Sequence, residues 1–90
     1  MKRVHLIISG DVQGVGYRAW AIREANKLEL VGWVRNRSDG AVEIIAEGPK
    51  DKLDELVTRC QDGPDVACVE KVETTWDRVT GEYVTFGVVY

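Results

Sequence analysis

The residues of this chain best suited to chemistry are Arg18 and Asn36, each set in a glycine-bearing motif. Arg18 closes the run Gly10-Asp11-Val12-Gln13-Gly14-Val15-Gly16-Tyr17-Arg18, in which three glycines fall within seven residues. An apolar run, Val4-His5-Leu6-Ile7-Ile8, leads into it, and helix-forming residues follow from Ala19. A strand that enters a glycine-rich turn and leaves through a helix N-terminus brings successive backbone N–H groups together, and the helix end adds partial positive charge. Such a loop binds anions. Arg18, at the start of the helix, adds a planar, permanently charged fork matched to phosphate oxygens.

Asn36 belongs to Gly32-Trp33-Val34-Arg35-Asn36-Arg37-Ser38-Asp39-Gly40. Alternation sets Val34 and Asn36 on one strand face and Trp33, Arg35 and Arg37 on the other. If the Val34 face packs on helices, Asn36 is a polar residue ending an apolar row. Asparagine before a hairpin is also ordinary turn chemistry, so this motif alone leaves both readings open. Neither motif contains cysteine or histidine, which argues against a phospho-enzyme through those residues. The loop also lacks the G-K-[ST] ending of a Walker loop, and with it the usual nucleotide–magnesium logic.

The elements that must position these residues are legible along the chain. Residues 3–9 alternate as a strand with Val4, Leu6 and Ile8 on one face, and residues 18–28 form a helix with Ile22, Ala25 and Leu28 at helical spacing. Residues 32–37 and 41–47 flank Ser38-Asp39-Gly40 as a hairpin. Gly48-Pro49 breaks the second of these strands, and Pro49 suits a first helical position. Leu53, Leu56, Val57 and Cys60 make one helical stripe, which Gly63-Pro64 ends. Residues 66–75 read as a strand in which Val69 and Val72 are out of step, the mark of a bulge. Residues 83–90, with Val84, Phe86 and Val88 on one face, form the last strand. The order is β-α-β-β-α-β plus a C-terminal strand, or with one long bent fourth strand in its place, an α+β, ferredoxin-like arrangement with two helices packed on one face of an antiparallel sheet. That fold hosts many functions, so the function must be argued from the site.

Composition narrows the partners. Ninety residues make one domain, residues 1–90, with an ordinary 44% apolar and 30% charged content. A net charge of −3 with scattered acidic residues disfavours nucleic acid as partner. No apolar run approaches the length of a membrane span, and the run after Met1-Lys2-Arg3 is too short for a signal peptide, so no membrane association and a cytoplasmic location are expected. Cys60 and Cys68 with the single His5 cannot complete a usual zinc site, and Cys60 lies on the apolar stripe as a buried thiol. His5, Trp20, Trp33 and Trp76 are read as structural residues.

Together the two motifs, G-x-V-Q-G-V-G-Y-R and G-W-V-R-N-x-x-D-G-x-V-E, with Gly63-Pro64-Asp65-Val66-Ala67-Cys68-Val69, resemble the acylphosphatase family over nearly the whole chain. The resemblance implies hydrolysis of the carboxyl–phosphate bond of small acyl phosphates, with inorganic phosphate as product, no metal and no cofactor. It assigns phosphate binding to the loop Gln13, Gly14, Val15, Gly16, Tyr17 and Arg18, phosphate holding to Arg18, and orientation of the attacking water to Asn36. Two positions depart from the commonest family pattern. Asp11 stands where a basic residue is frequent and is expected to face solvent, and Tyr17 stands where phenylalanine is usual. A water nucleophile fits the residues, since Asn36 can hold water but cannot take its proton. The nearest acceptor is the substrate's own phosphate, and the carboxylate leaving group makes strong base catalysis dispensable. The expected mechanism is positioning with electrostatic stabilisation, by a monomer. The alternative from another class is a non-catalytic anion- or acyl-phosphate-binding module of the same fold.

Overall fold

Val4, Leu6 and Ile8 are fully buried along β1 (Lys2–Asp11), while Arg3, His5 and Ile7 between them are half-buried, so the strand turns one face to the core. The computed structural model describes every residue, Met1–Tyr90. After β1 come α1 (Tyr17–Lys27), β2 (Val31–Asn36), β3 (Val42–Gly48), α2 (Lys50–Asp62), β4 (Cys68–Asp77) and β5 (Phe86–Val88). The strands lie side by side as β4-β1-β3-β2-β5, and the apolar faces of α1 and α2 close over Val4, Leu6, Ile8, Val34, Val42, Ile44 and Ala46.

The ferredoxin-like expectation holds with one correction. β1, β2, β3 and β4 pair antiparallel, but β5 runs parallel to β2, so the sheet is mixed and not wholly antiparallel. β4 and β5 occupy opposite edges of the sheet, and the chain between them must cross its open face before it can join β2. β5 is also shorter than residues 83–90. Val84 lies in the crossing, 88% exposed, and shares no buried face with Phe86 and Val88.

Glu47 pins that crossing. Its carboxylate, on the β3 face away from the helices, is 1% exposed. It accepts hydrogen bonds from Thr80 N–H at 2.9 Å, Thr80 Oγ1 at 3.0 Å and Gly81 N–H at 3.2 Å, with the Arg3 guanidinium 3.9 Å away. Burial opposes its ionisation, but these donors outweigh that cost and hold its pKa below the usual carboxylate range. Trp33 Nε1 donates to the Tyr83 hydroxyl at 3.2 Å and fastens the far end of the crossing. On the same face Glu43 sits between His5 Nε2 and Arg35 Nε, 2.6 Å from each. β3 is therefore buried along its whole length, by helices on one side and by the ion pairs and crossing on the other.

Local chemistry sets the helix limits. In α2, Leu53, Leu56 and Cys60 are fully buried, so truncating either leucine to alanine should cost about 2–5 kcal/mol. Pro49 is the N-cap of α2 and not its first helical residue, with Lys50 beginning the helix. The bulge in β4 is present: Ser9 faces Lys71 and Gly10 faces Val69, so Glu70 is the extra residue. That insertion brings Val69 and Val72 onto the same face, against the core. Both cysteines are free, Cys60 buried and Cys68 exposed.

Candidate active site

The turn between β1 and α1 is made by backbone conformations that suit glycine. Gly14 (φ 75°) and Gly16 (φ 80°) are both left-handed, and Gly16 is the N-cap of α1. No atom lies where a Cβ would stand at either position, so φ and not space calls for glycine. The first helical bond runs from Trp20 N–H to the Gly16 carbonyl. The N–H groups of residues 16–19 therefore have no backbone acceptor and stand at the positive end of the helix.

These groups border a cavity of about 260 Å³. Gly14, Gly16, Tyr17, Arg18 and Ala19 line it from the loop and α1, Asn36 from the end of β2, and Val12, Ile22, Val88 and Tyr90 complete its apolar wall. Arg18 is the only charged side chain among them, and Asn36 the only amide. Two residues eighteen apart in sequence thus face one space, because the Val34–Asn36 face of β2 is the helix-packed face. The Arg18 guanidinium also lies over the Tyr90 ring, 5.5 Å from its centroid.

Not every residue of the expected loop reaches the cavity. Gly14, Gly16, Tyr17 and Arg18 do, whereas Gln13 and Val15 do not line it. The Gln13 amide nitrogen instead donates to the Arg37 carbonyl at 2.7 Å and the Ala41 carbonyl at 2.9 Å, across in the β2–β3 hairpin. Val15 packs against the core. Asp11 is exposed and outside the cavity lining. The Tyr17 hydroxyl points away from the site and donates to the Cys60 carbonyl at 2.7 Å. Burial, with Cys60 beside it, pushes the Tyr17 pKa far upward, so it stays a protonated donor.

The remaining cations near the hairpin are engaged elsewhere. Arg35 is paired with Glu43 on the opposite sheet face, and Arg37 Nη2 lies 3.0 Å from Asp39. Asp39 in turn accepts the Ala41 N–H at 3.1 Å, which with Arg37 keeps its carboxyl pKa low. His5 is bound to Glu43, away from the cavity, as a structural residue.

Sequence reasoning missed the apolar wall. Ile22 had a readable signal, since it stands four residues after Arg18 and so shares its helix face. Val88 and Tyr90 had none, because their placement follows from the parallel pairing of β5. Val88 is registered with Val34, which carries Tyr90, two residues on, alongside Asn36.

Comparison with known proteins agrees with this geometry. The acylphosphatase family model matches residues 4–88. An acylphosphatase of Methylococcus capsulatus is 48% identical over 89 residues, covering 99% of this chain and 97% of that protein. The crystal structure of acylphosphatase from Bacillus subtilis superposes with a TM-score of 0.96 at 40% identity, each chain covered in full. Full-length HypF, solved in a phosphate- and nucleotide-bound form, carries a similar segment: TM-score 0.91 at 27% identity, over 99% of this chain and 12% of that one.

Proposed function

The chain belongs to the acylphosphatase family, enzymes that act on small acyl phosphates, and from that premise we propose how its own residues carry out the hydrolysis. The phosphoryl group sits at the mouth of α1, held by the loop N–H groups and the Arg18 fork. The charge that develops on its equatorial oxygens is then met by donors already in place, which avoids reorganisation at the moment of reaction. Asn36 holds a water in line with the phosphorus on the side opposite the leaving carboxylate. The water's oxygen forms the new P–O bond as the P–O bond to the acyl group breaks. Its proton passes to a phosphate oxygen, since an amide cannot accept it and no carboxylate, histidine or cysteine side chain lines the cavity. The acyl group leaves as a carboxylate along the wall of Ile22 and Val88.

The observation that carries this reading is the joint presence of Arg18 and Asn36, with no other charged side chain, around one cavity at a helix N-terminus. It has the reaction proceed without metal, cofactor or covalent intermediate, by a monomer acting on free small molecules in the cytoplasm without nucleic acid. Turnover of an aryl acyl phosphate, followed by release of carboxylate and inorganic phosphate, tests it. Hydrolysis with competitive inhibition by phosphate is the expected result. Phosphate binding with no turnover would instead make the domain a non-catalytic anion-binding module.

A further inference from the structure

We propose that Gln13 is a positioning residue that fixes the spacing between the two halves of the site, the phosphate loop and the Asn36 strand end. The proposal rests on the roles given above to Arg18 and Asn36. Its basis is where the backbone ladder stops. The β1–β3 pairing ends at Ile8 and Val42, so past that rung the loop and the hairpin diverge. The two hydrogen bonds of Gln13, to the Arg37 and Ala41 carbonyls, are the only ones that join residues 12–18 to residues 36–42.

The acceptors explain the effect. Arg37 follows Asn36 directly, and Ala41 precedes Val42, the cross-strand partner of Asn36. Arg37 N–H also donates to the Ala41 carbonyl at 2.8 Å, so Gln13 grips both strands at the rung beside Asn36. Its amide nitrogen has two hydrogens, and both are used on these carbonyls. None remains for a phosphate oxygen, and Oε1 is an acceptor that an anion does not attract. Gln13 therefore serves the reaction through distance and not through contact.

In-line attack is sensitive to that distance, since a misplacement of about 1 Å can cost about 10²-fold in rate. Phosphate held by the loop and Arg18 needs no such alignment with the hairpin. Removing the brace should lower kcat and leave phosphate affinity nearly intact.

The experiment is a four-protein cycle: the unaltered protein, Gln13→Ala, Asn36→Ala and the double variant, each read for kcat, phosphate affinity by calorimetric titration, and melting temperature. Gln13→Ala is expected to lower kcat about 10- to 100-fold with phosphate affinity within about threefold. In the Asn36→Ala background the same change should lower kcat less than about threefold, because no aligned water is left to misplace. The melting temperature should fall equally in both backgrounds. Gln13→Met, which keeps the length and loses both donors, must repeat the pattern, and it stands in if Gln13→Ala does not fold. An equal kcat loss in both backgrounds, an unchanged kcat, or phosphate affinity falling in step with kcat would each overturn the brace while the site reading stands. Wild-type turnover by Asn36→Ala would remove the site reading, and the brace with it.

Discussion

The Tyr17 hydroxyl donates to the backbone carbonyl of Cys60 and so closes the C-terminal turn of one helix with the first residue of the other. The carbonyl needs this partner. Four residues after Cys60 stands Pro64, which has no N–H to give. Tyr17→Phe should therefore lower stability by about 1–3 kcal/mol, the cost of a buried acceptor left unpaired, while kcat and KM stay as they are. Denaturant unfolding alongside steady-state kinetics checks this, and an unchanged unfolding midpoint would refute it. The hydroxyl that distinguishes Tyr17 from the usual phenylalanine is thus a stabilising group.

The burial of Cys60 bears on the thiols. The Cys60 pKa is pushed up to about 12: burial raises it most, the Tyr17 hydroxyl beside the thiol lowers it in part, and Glu24 raises it. Cys68 is exposed. Alkylation of the native protein at neutral pH should modify Cys68 alone, and a second thiol should react only on unfolding. Mass spectrometry of the labelled peptides reads the result directly. Prompt labelling of Cys60 would show that the two helices part far more often than this packing implies.

Arg18 and Asn36 should separate kinetically. The phosphate is anionic before and during the reaction, so Arg18→Ala should raise KM and lower kcat together, with poor rescue by lysine, whose point charge cannot copy the fork. Asn36→Ala should lower kcat by about 10²-fold or more and barely change phosphate affinity. Circular dichroism melts exclude unfolding as the cause. Phosphate protection that survives Arg18→Ala would place the anion elsewhere.

Chelation should have no effect. No group of three histidine, cysteine, aspartate or glutamate side chains is placed to hold a metal ion, and the proposed mechanism has Arg18 and the loop N–H groups meet the charge on the phosphate. Turnover in excess EDTA should equal turnover without it. Activity lost to EDTA and restored by Mg²⁺ would overturn the proposed mechanism.

Acid should release the crossing over the open sheet face. Glu47 has a folded pKa below its unfolded value, so the unfolded state binds its proton first as pH falls. Its stabilisation is therefore complete above the ordinary glutamate range and is lost as pH drops through the folded pKa. Glu43 and Asp39, lowered as well, act in the same sense. Glu47→Gln should destabilise the protein at neutral pH and flatten the acid limb of a stability–pH curve. An unchanged slope between pH 5 and 3 would show that other carboxylates govern acid unfolding.

How much of this was legible depended on whether a residue's role was local. Strand β1, the two helices, the hairpin and the β4 bulge follow from apolar spacing and from glycine and proline stops within a few residues. Arg18 and Asn36, which the fold brings to one cavity, could be singled out because each stands in a glycine-bearing motif and the two motifs together resemble one family. The parallel placement of β5 could not, since it depends on a crossing held by Glu47, and a glutamate in an apolar strand carries no sign of being buried. The family resemblance assigns Gln13 to the phosphate loop. Its side-chain partners, 24 and 28 residues away, could be known only once the hairpin was folded against the loop.

Tyr90 at the rim of the cavity also makes the two ends of the described chain unequal as attachment points. Whatever is joined after Tyr90 must leave from beside Arg18. Whatever is joined before Met1 departs from the opposite end of β1, a ten-residue strand that spans about 30 Å. Tethered to a surface by its N-terminus, the protein would turn its cavity toward the solution; tethered by its C-terminus, it would turn the cavity toward the support. The ratio of turnover on two such surfaces, at equal loading, measures how far the last residues of the sheet govern access to the phosphate loop.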